Sequence, residues 1–336
     1  MKEAVSRLIT HAYHLPEPQQ CTPIAGGLIN QTFDIDNVWI LQHVNSIFGP
    51  AVNDDIAALT EILRAHGVPV PTLCRTRTGA YAVEGETYGL TPGPWRLMSK
   101  LSGQTHHKVE TIEQIRALTQ AVARFHRALD GVAYVFQHTR PGVHDFERHR
   151  LALEKAINDE QLKAHRLWFY VDELYKEIQV LARYVDINKI ISCEKLRIIH
   201  GDPKVSNFLF LDNMVTGIVD LDTMARSRVA FDIGDAIRSW CNPRTEDVEP
   251  AFQREFAREV LGLYQEEAPF LSRDERKSLE KSAAFIALEL SMRFARDAIC
   301  EDYFGFNPEI GHGEHSLLRA RAMKTLCAQM LEGSSY

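Results

Sequence analysis

The sequence predicts an α+β protein in which a strand-rich amino-terminal part precedes a longer, mostly helical part. Between residues 23 and 44, short apolar runs separated by glycine and Asx turns predict strands. From residue 111 onward, apolar side chains recur three and four positions apart, which predicts helices. A hairpin pattern at 196–219 interrupts the helical part. With 336 residues, the chain is long enough for two modest domains or one two-lobed domain.

The composition limits the class of partner. A net charge of −7 argues against nucleic acid, because there is no excess of Lys and Arg to neutralise phosphates. The six cysteines are scattered, with no C-x-x-C pair and no His at zinc-ligand spacing. We interpret them as buried thiols in a reducing compartment.

The amino terminus and the hydropathy predict the location. The stretch M-K-E-A-V-S-R-L-I-T-H is amphipathic and lacks the continuous apolar core of a signal peptide. No apolar run approaches the roughly 18 residues of a membrane span. We therefore expect no membrane partner and a cytoplasmic location. The sequence makes no prediction of the oligomeric state.

A glycine turn follows a short helix predicted at residues 1–13. Gly26 and Gly27 let the backbone approach a ligand closely. Asn30 and Thr32, just after this turn, can hydrogen-bond phosphate oxygens. The turn is therefore a candidate nucleotide-covering loop, with a plain β-turn as the alternative for the two glycines alone.

The same periodicities predict the other elements. Thr111 and Gln114 form a capping box at the start of an amphipathic helix that ends at Leu129. His126, near the end of this helix, is interpreted as structural. Further helices are predicted at 52–65, 167–184, 252–264, 279–299 and 315–331, and further strands at 80–83 and 95–101.

The hairpin at 196–219 concentrates chemically active side chains. It should carry Asp202, Lys204, Asn207, Asp220 and Asp222 to one edge. Three carboxylates and an amide suit a hard cation such as Mg²⁺ and the phosphates that it holds. An ordinary acidic hairpin with a solvated turn is the alternative.

The spacing of these residues resembles a known family. D-x-K-x-x-N, from Asp202 to Asn207, is the catalytic-loop pattern of kinases, and Asp220 follows after one hairpin. H-G-D-x-x-x-x-N followed by a second Asp motif resembles the aminoglycoside phosphotransferase and choline kinase branch of the kinase-like fold. I-V-D-L-D-T-M followed by F-D-I-G-D-A-I-R, at 231–238, is closest to N-acetylhexosamine 1-kinases. The resemblance implies a two-lobed fold, with a nucleotide-binding lobe at 1–100 and a catalytic lobe at 101–336.

The resemblance also implies an ATP-dependent reaction and a role for each hairpin residue. Asp202 would accept or orient the proton of the substrate hydroxyl, and Lys204 would reach the γ-phosphate. Asn207 and Asp220 would hold Mg²⁺ between the phosphates. Asp222 would be a second metal ligand or lie just outside the metal's ligands.

Other parts of the chain match the resemblance with one departure. Where kinases place a phosphate-binding lysine on the third strand, this chain has Gln42, as do the hexosamine 1-kinases. Adenine would bond to backbone groups between Met98 and Lys100, with Met98 packing on the base. Asp235 and His200 would hold the shape of the catalytic loop.

The acceptor residues are expected in two later segments. His144 lies in the polar segment 139–150, which would line a sugar site or form solvated charge pairs. Arg293 and Tyr303 resemble the residues that contact the acetamido sugar in the hexosamine kinases. Since Asp297 is four residues after Arg293, a surface ion pair on one helix is the alternative for the arginine.

The sequence therefore predicts phosphorylation of a small sugar or alcohol by ATP, most closely an N-acetylhexosamine at its anomeric hydroxyl. A kinase of another small alcohol, such as an aminoglycoside, choline, homoserine or a methylthio-sugar, is the first alternative. A nucleotide-binding pseudokinase is favoured by the missing lysine but opposed by the intact Asp202, Asn207 and Asp220. A protein kinase is disfavoured because no A-P-E segment follows Asp220.

Overall fold

The computed structural model describes residues 2–24, 30–193 and 195–332. The chain forms two compact units, each assembled from three separate segments. Unit 1 contains residues 1–104, 131–139 and 209–224, and unit 2 contains residues 105–130, 140–208 and 225–336.

Unit 1 is built on an antiparallel sheet of five short strands. The strand order is β1-β2-β3-β5-β4. The strands are β1 (Cys21–Ile24), β2 (Gln31–Ile35), β3 (Trp39–His43), β4 (Val83–Glu84) and β5 (Pro94–Ser99), and two helices, α1 (Lys2–Ala12) and α2 (Val52–Ala65), belong to the same unit.

The sheet of unit 1 has an apolar face and a polar face. Leu41, Trp95 and Leu97 pack in a core that includes the buried side of α1. Because side chains alternate along a strand, the intervening Gln42 and Arg96 point to the opposite face. These two residues are direct partners in the pairing of β3 with β5. The sheet thus places an arginine beside the position where the sequence lacks a lysine.

Unit 2 is mainly helical and is organised around one long apolar helix. This helix, α10, packs against α4, α5, α7 and α11, and α3 packs against α8. The helices are α3 (Ile112–Ala128), α4 (Phe146–Ile157), α5 (Trp168–Ala182), α6 (Ile187–Ile191), α7 (Val229–Trp240), α8 (Arg254–Glu267), α9 (Arg273–Ser278), α10 (Ser282–Cys300) and α11 (His312–Leu331).

Five short strands complete the fold. They form a three-stranded sheet in the order β6-β8-β9 and an antiparallel pair of β7 with β10, in which Ile199 lies opposite Ala225. The strands are β6 (Gln104–Thr105), β7 (Arg197–Ile199), β8 (Phe208–Leu211), β9 (Met214–Ile218) and β10 (Ala225–Ser227).

Most predicted helices and strands are found close to their predicted bounds. The helix at 52–65 has the predicted ends, and the capping box of Thr111 and Gln114 is formed. The strand predicted at 80–83 is wrong except for its last residue, because this segment belongs to a turn in which Thr76 N donates to Ala80 O at 2.8 Å.

The cysteines are less uniformly buried than the sequence suggested. None of the cysteines forms a disulfide in the described part of the chain. The interpretation as buried thiols holds for Cys193, Cys241 and Cys327, whereas Cys21, Cys74 and Cys300 are half-buried. Within the described ranges, no helix combines the length and the apolar character that crossing a membrane requires.

Candidate active site

The loop after β7, in unit 2, brings three of the predicted residues together. Lys204 Nζ donates to Asp202 Oδ2 at 2.5 Å, and Asn207 Nδ2 donates to the same oxygen at 3.2 Å. Asn207 Nδ2 also donates to the main-chain oxygen of Asp202 at 2.8 Å. The Asp202 side chain is 27% exposed. An accessible carboxylate held by a cation and an amide is suited to accept a hydroxyl proton.

Asp232, in the first turn of α7, fixes the backbone of this loop by hydrogen bonds. Its two carboxylate oxygens accept the amide hydrogens of His200 at 2.7 Å and of Gly201 at 2.8 Å. Gly201 has a φ of +86°, a conformation that favours glycine. The His200 ring in turn accepts the amide hydrogen of Asp202 at 3.3 Å. Residues 200–202 are therefore fixed by hydrogen bonds before any ligand binds.

A buried chain of side chains supports Asp232. His126 Nε2 donates to Asp232 at 3.0 Å, and Tyr264 donates its hydroxyl to His126 Nδ1 at 2.7 Å. Burial by itself would raise the pKa of Asp232, but the hydrogen bonds from His126 and from the Gly201 amide lower it overall. Burial raises the pKa of Tyr264 well above its ordinary value, which keeps it a donor. His126 is thus structural, as the sequence suggested.

Asp235 does not hold the catalytic loop directly. It forms an ion pair with Arg238 at 2.7 Å, and Arg238 also contacts Glu246 at 2.8 Å. Burial raises the pKa of Asp235 although Arg238 opposes the shift, and the charges of Asp202 and His144 reach the same carboxyl. The loop contacts that we expected from Asp235 come from Asp232 instead, because the first Asp of F-D-I-G-D follows the amino-terminal end of α7.

Two further residues of α7 complete the support of the loop. Trp240 Nε1 donates to the carbonyl oxygen of Pro203 at 2.8 Å. The Ser239 hydroxyl accepts the amide hydrogen of Val205 at 3.1 Å. Hydrogen bonds from one helix therefore fix both ends of the segment that carries Asp202 and Lys204.

The predicted metal ligand Asp220 lies in unit 1, after β9. Its φ of +63° and ψ of 55° are left-handed, which is uncommon for a residue with a side chain. Aspartate adopts this conformation more readily than most residues, and Asp36 and Asp212 of this chain have a positive φ too. The backbone of Asp220 thus sets the direction in which its carboxylate leaves the chain.

Asp222, two residues later, is buried and paired with an arginine. Both of its carboxylate oxygens accept from Arg96, Oδ1 at 2.5 Å and Oδ2 at 2.9 Å. Asn30 Nδ2 donates to Oδ2 at 2.8 Å. Coordination of a metal by Asp222 would compete with these bonds, so the structure favours a place outside the metal's ligands.

The predicted nucleotide-binding residues of unit 1 join the same network where they are described. Gly26 and Gly27 lie outside the described residues. Gln42 Nε2 donates to the Thr32 hydroxyl at 3.2 Å, and Gln42 Oε1 accepts two hydrogen bonds from Arg96. Thr32 and Gln42 therefore contact each other in this structure.

Met98 is buried in β5, with 8% of its surface exposed. We predicted that adenine bonds to backbone groups at 98–100, but two of the amides in this segment already have partners. Ser99 N donates to Thr72 O at 2.9 Å and Lys100 N donates to Val38 O at 2.9 Å. Strand and turn pairing therefore already uses both donors.

The predicted acceptor residues of unit 2 do lie together. His144 Nδ1 is 3.4 Å from Glu289 Oε1, and Arg293 Nη1 is 3.5 Å from the same oxygen. Arg293 also reaches the Tyr303 hydroxyl at 3.5 Å, and Arg140 reaches this hydroxyl at 3.2 Å. We call His144, Glu289, Arg293, Tyr303 and Arg140 the acceptor cluster.

The alternative of a surface ion pair between Arg293 and Asp297 is wrong. Asp297 is fully buried and accepts from the amides of residues 302–304, with Tyr303 N at 2.8 Å. His312 and Ser316 contact its other oxygen at 2.8 and 2.7 Å. Asp297 therefore fixes the turn after α10 that presents Tyr303.

Sequence reasoning missed three buried charged residues: Arg96, Asp232 and Glu289. Each is a charge within an apolar element, flanked by Trp95 and Leu97, by Phe231 and Ile233, or by Leu288 and Leu290. Because such charges are rarely buried without a role, this pattern was the available signal. In the described ranges, no group of three His, Cys, Asp or Glu side chains is arranged to hold a metal ion.

Several solved structures resemble this one. The GDP complex of wild-type aminoglycoside 2'-phosphotransferase-IIIa has a TM-score of 0.63 and 16% identity, over 95% of this chain and 97% of that one. Amicoumacin kinase hAmiN in complex with AMP-PNP, Ca²⁺ and Ami has a TM-score of 0.63 and 15% identity, over 97% of this chain and 92% of that one. The predicted kinase-like α+β fold is confirmed.

The sequence comparisons identify the family. Homoserine kinase of Zymomonas mobilis subsp. mobilis is 27% identical over 237 residues, which are 69% of this chain and 63% of that enzyme. The chain thus spans less than two thirds of the length of this curated relative. The model of the phosphotransferase enzyme family (APH) matches residues 20–270. The chain therefore belongs to the phosphotransferase enzyme family.

Proposed function

We propose that this protein is a kinase that transfers the γ-phosphoryl group of ATP to a hydroxyl of a small molecule. The observation that carries the proposal is the catalytic loop, in which Asp202 contacts Lys204 and Asn207 while Asp232 fixes the backbone. Phosphoryl transfer requires mainly positioning and charge neutralisation. The hydrogen-bonded loop supplies positioning without rearrangement.

We propose the cytoplasm as the compartment of this protein, because cysteine thiols stay reduced there.

The proposed reaction needs one proton acceptor. The acceptor hydroxyl attacks the γ-phosphorus, its proton passes to Asp202, and the bond from phosphorus to the β–γ bridging oxygen breaks to release ADP. Lys204 would offset the negative charge near Asp202. Asn207 uses its amide nitrogen in the loop, which leaves the amide oxygen as the donor atom suited to Mg²⁺, and the Asp220 carboxylate is chemically suited too. When bound, Mg²⁺ would neutralise phosphate charge.

For the acceptor, we propose an N-acetylhexosamine or a related sugar, phosphorylated at the anomeric hydroxyl. The acceptor cluster supports this, because a guanidinium, an imidazole and a phenol offer donors to neutral sugar oxygens. Tyr303 is 54% exposed, so its ring can be reached by a ligand. The charges of Asp202, in the catalytic loop, and of His144, in the acceptor cluster, both influence the pKa of Asp235, so the loop and the cluster lie near the same carboxyl group.

A carboxylate-bearing amino alcohol such as homoserine is a second candidate. Arg140 and Arg293 both reach the hydroxyl of Tyr303, and two guanidinium groups in one place suit a carboxylate. The similarity to homoserine kinase favours the same class. The two acceptors make different demands on Arg140, since a carboxylate gains more from a second guanidinium than a neutral sugar does.

The test compares acceptors directly. The protein is incubated with MgATP and N-acetylglucosamine, N-acetylgalactosamine, homoserine, choline or kanamycin, and ADP release and phosphorus NMR are recorded. We expect a sugar 1-phosphate signal from an N-acetylhexosamine. A phosphate ester formed only from homoserine would replace the sugar proposal with the second candidate. Absence of acceptor-dependent ADP release from the whole panel would contradict the kinase proposal for these classes.

A further inference from the structure

Arg96 is the most highly bonded charged side chain on the polar face of the unit 1 sheet. Its Nε donates to Gln42 Oε1 at 3.1 Å, and its Nη2 donates to Gln42 Oε1 at 2.7 Å and Asp222 Oδ2 at 2.9 Å. Its Nη1 donates to Asp222 Oδ1 at 2.5 Å and Asn53 Oδ1 at 3.2 Å. Since a guanidinium has five N–H groups, all of its donors are used.

This network joins segments that are distant in the sequence. Gln42 lies on β3, Asn53 on α2 and Arg96 on β5, while Asp222 follows β9. Asn30, next to the two-glycine turn, bonds to Asp222, and its own side-chain oxygen accepts the amide hydrogen of Asn45 at 2.9 Å. One guanidinium therefore connects, directly or through Asp222, every segment of unit 1 that we predicted to handle the nucleotide phosphates, as far as these segments are described.

Stability alone does not account for the ion pair at the centre of this network. The Arg96 and Asp222 side chains are 2% and 0% exposed. Removing two charges from water costs several kcal/mol per ion, and apolar replacements of a buried pair are often neutral or stabilising. A gain in the free energy of unfolding is therefore weak grounds for this pair, whereas its five directed hydrogen bonds provide a fixed geometry.

The geometry that is fixed includes Asp220. Only Leu221 separates Asp220 from Asp222, and Asp220 has a left-handed backbone with a φ of +63°. A short 3₁₀ turn at Leu221–Thr223 joins the two carboxylates. Because a strained backbone persists only where its surroundings determine it, the bonds to Asp222 hold the turn that sets the direction of Asp220.

We propose that Arg96 is a positioning residue for phosphoryl transfer: through Asp222 it fixes Asp220 and Asn30, just before β2, and through Gln42 it fixes β3. This inference rests on the proposed kinase function. Kinases have a lysine on the third strand, where this chain has Gln42. Arg96 replaces that lysine in positioning the surrounding segments. It does not bind phosphate itself, because its donors are already used.

The principal test is the double variant Arg96→Met with Asp222→Leu, which removes both charges and keeps apolar bulk. We expect it to fold, with a thermal midpoint below that of the wild type because Asn30, Gln42 and Asn53 each lose a hydrogen bond. We expect kcat/KM for MgATP to fall by about 10²-fold, as for a misplacement of about 1 Å, and KM for the acceptor to stay unchanged. Wild-type values of kcat and of both KM constants in the double variant would overturn the proposal.

A matched control is the buried pair of Arg197 and Glu275 in unit 2, with side chains 3% and 1% exposed. The double variant Arg197→Met with Glu275→Leu removes an equally buried ion pair, and kcat/KM for MgATP should stay at the wild-type value. An equal fall in kcat/KM for MgATP in both double variants would show that any buried pair has this effect, and would overturn the assignment to Arg96.

Arg96→Lys keeps the proposal testable if the double variant does not fold. Lysine retains the charge for Asp222 but cannot make the bidentate contact or reach Gln42 and Asn53 as well. We expect a folded protein whose kcat/KM for MgATP falls between those of the wild type and the double variant; full wild-type activity would overturn the proposal. Failure of the kinase proposal is distinguishable, because the wild type would then show neither MgATP binding by calorimetry nor ADP release.

Discussion

Two buried carboxylates of unit 2, Asp232 and Glu289, are equally hidden from solvent but very differently bonded. They are 1% and 0% exposed. Asp232 accepts hydrogen bonds from His126 and from the amides of His200 and Gly201 at 2.7 to 3.0 Å. Its charge is therefore compensated by directed donors, all of which belong to the support of the catalytic loop.

Glu289 lacks such donors. None of the described residues gives either of its carboxylate oxygens a well-formed hydrogen bond, and His144 Nδ1 is likewise without one. The basic side chains around it are those of His144, Arg293 and His149, at 3.4, 3.5 and 3.8 Å from Oε1. His149 already donates the same nitrogen to the carbonyl oxygen of Val143 at 2.8 Å.

The difference in hydrogen bonding between Asp232 and Glu289 suggests different roles, one in supporting the fold and one in binding the acceptor. A satisfied buried network stabilises and rigidifies the structure around it, whereas an unsatisfied buried carboxylate lowers the free energy of unfolding. Such a group calls for an explanation in function. We therefore interpret Asp232 as scaffold for the loop, and Glu289 as the residue that orients His144 and Arg293 toward an acceptor.

The largest effect on activity should come from replacing Asp202, whose loop Asp232 supports. We expect Asp202→Asn to reduce kcat by about 10²–10⁴-fold, because the amide cannot accept the hydroxyl proton. Binding of MgATP and the thermal midpoint should stay close to the wild type, since Asp202 is partly exposed and Asp232 still holds the backbone. ADP-release kinetics and calorimetry are the measurements. Retention of most of the activity would contradict the assignment of Asp202.

A loss in both stability and activity is expected when the scaffold itself is broken. Asp232→Ala leaves two buried amides without an acceptor and His126 without its partner, so the free energy of unfolding should fall by about 3–5 kcal/mol. Activity should fall with it at temperatures where the variant is still folded, because residues 200–202 lose their support. Chemical unfolding monitored by circular dichroism tests this. Unchanged stability would contradict the scaffold role.

The catalytic loop was predictable because its chemistry is local in sequence. Asp202, Lys204 and Asn207 lie within six residues, so spacing alone predicted that one loop carries all three, although not that they contact each other. The support from Asp232 and His126 was not predictable in the same way, because these residues lie 30 and 76 positions from Asp202 and only tertiary packing joins them. The arginine that pairs with Asp222 depends in turn on the register of β3 with β5, which no local pattern specifies.

The acceptor cluster shows the limit of helical periodicity. Arg293 lies on a helix as predicted, but Asp297, at plus four, accepts hydrogen bonds from the amides of the turn after α10 instead. The actual partner is at minus four, Glu289, on a helix that is buried on nearly all sides. Periodicity predicts which residues share a face, but the neighbouring helices determine which face is functional.

Glu289→Gln should sharpen the comparison, because it removes the charge and keeps the shape. We expect the free energy of unfolding to change little, since the variant removes a buried carboxylate that lacks hydrogen bonds but also removes its ion pairs with Arg293 and His144. KM for the acceptor should rise about 10-fold, because His144 and Arg293 lose their orienting partner. KM for MgATP should not change. Acceptor and nucleotide titrations separate the two constants.

The exposed Glu280, which pairs with Lys189, provides a control on a neighbouring part of the chain. Glu280→Gln should leave both KM constants at the wild-type values, since surface ion pairs contribute little. If Glu289→Gln lowers stability as strongly as Asp232→Ala and leaves KM for the acceptor unchanged, Glu289 is scaffold as well.

The smallest expected effect concerns how the stability of the fold depends on pH. The His144 side chain beside Glu289 and the Asp232 carboxylate should contribute to it with opposite signs. Burial lowers the pKa of His144, but the charge of Glu289 raises it overall; Arg293 opposes the rise and Asp235 supports it. A raised folded-state pKa stabilises the fold below the ordinary pKa of about 6.5 and loses this contribution as the pH rises through the folded value. Asp232 has the opposite sign: its lowered pKa stabilises above about 3.8, and the contribution disappears as the pH falls.

Only the first of these two contributions changes near neutral pH, so it can be measured separately. Between pH 5 and 8 the wild type should lose the contribution of His144 as the pH rises. In Glu289→Gln the imidazole should titrate at a lower pH, because burial and Arg293 then act without the opposing carboxylate. Nuclear magnetic resonance of the His144 ring proton reports the titration, and thermal midpoints across the same range report the linked stability. Identical His144 titrations in the two proteins would show that Glu289 does not act on this imidazole, and would leave its unsatisfied carboxylate without the role assigned here.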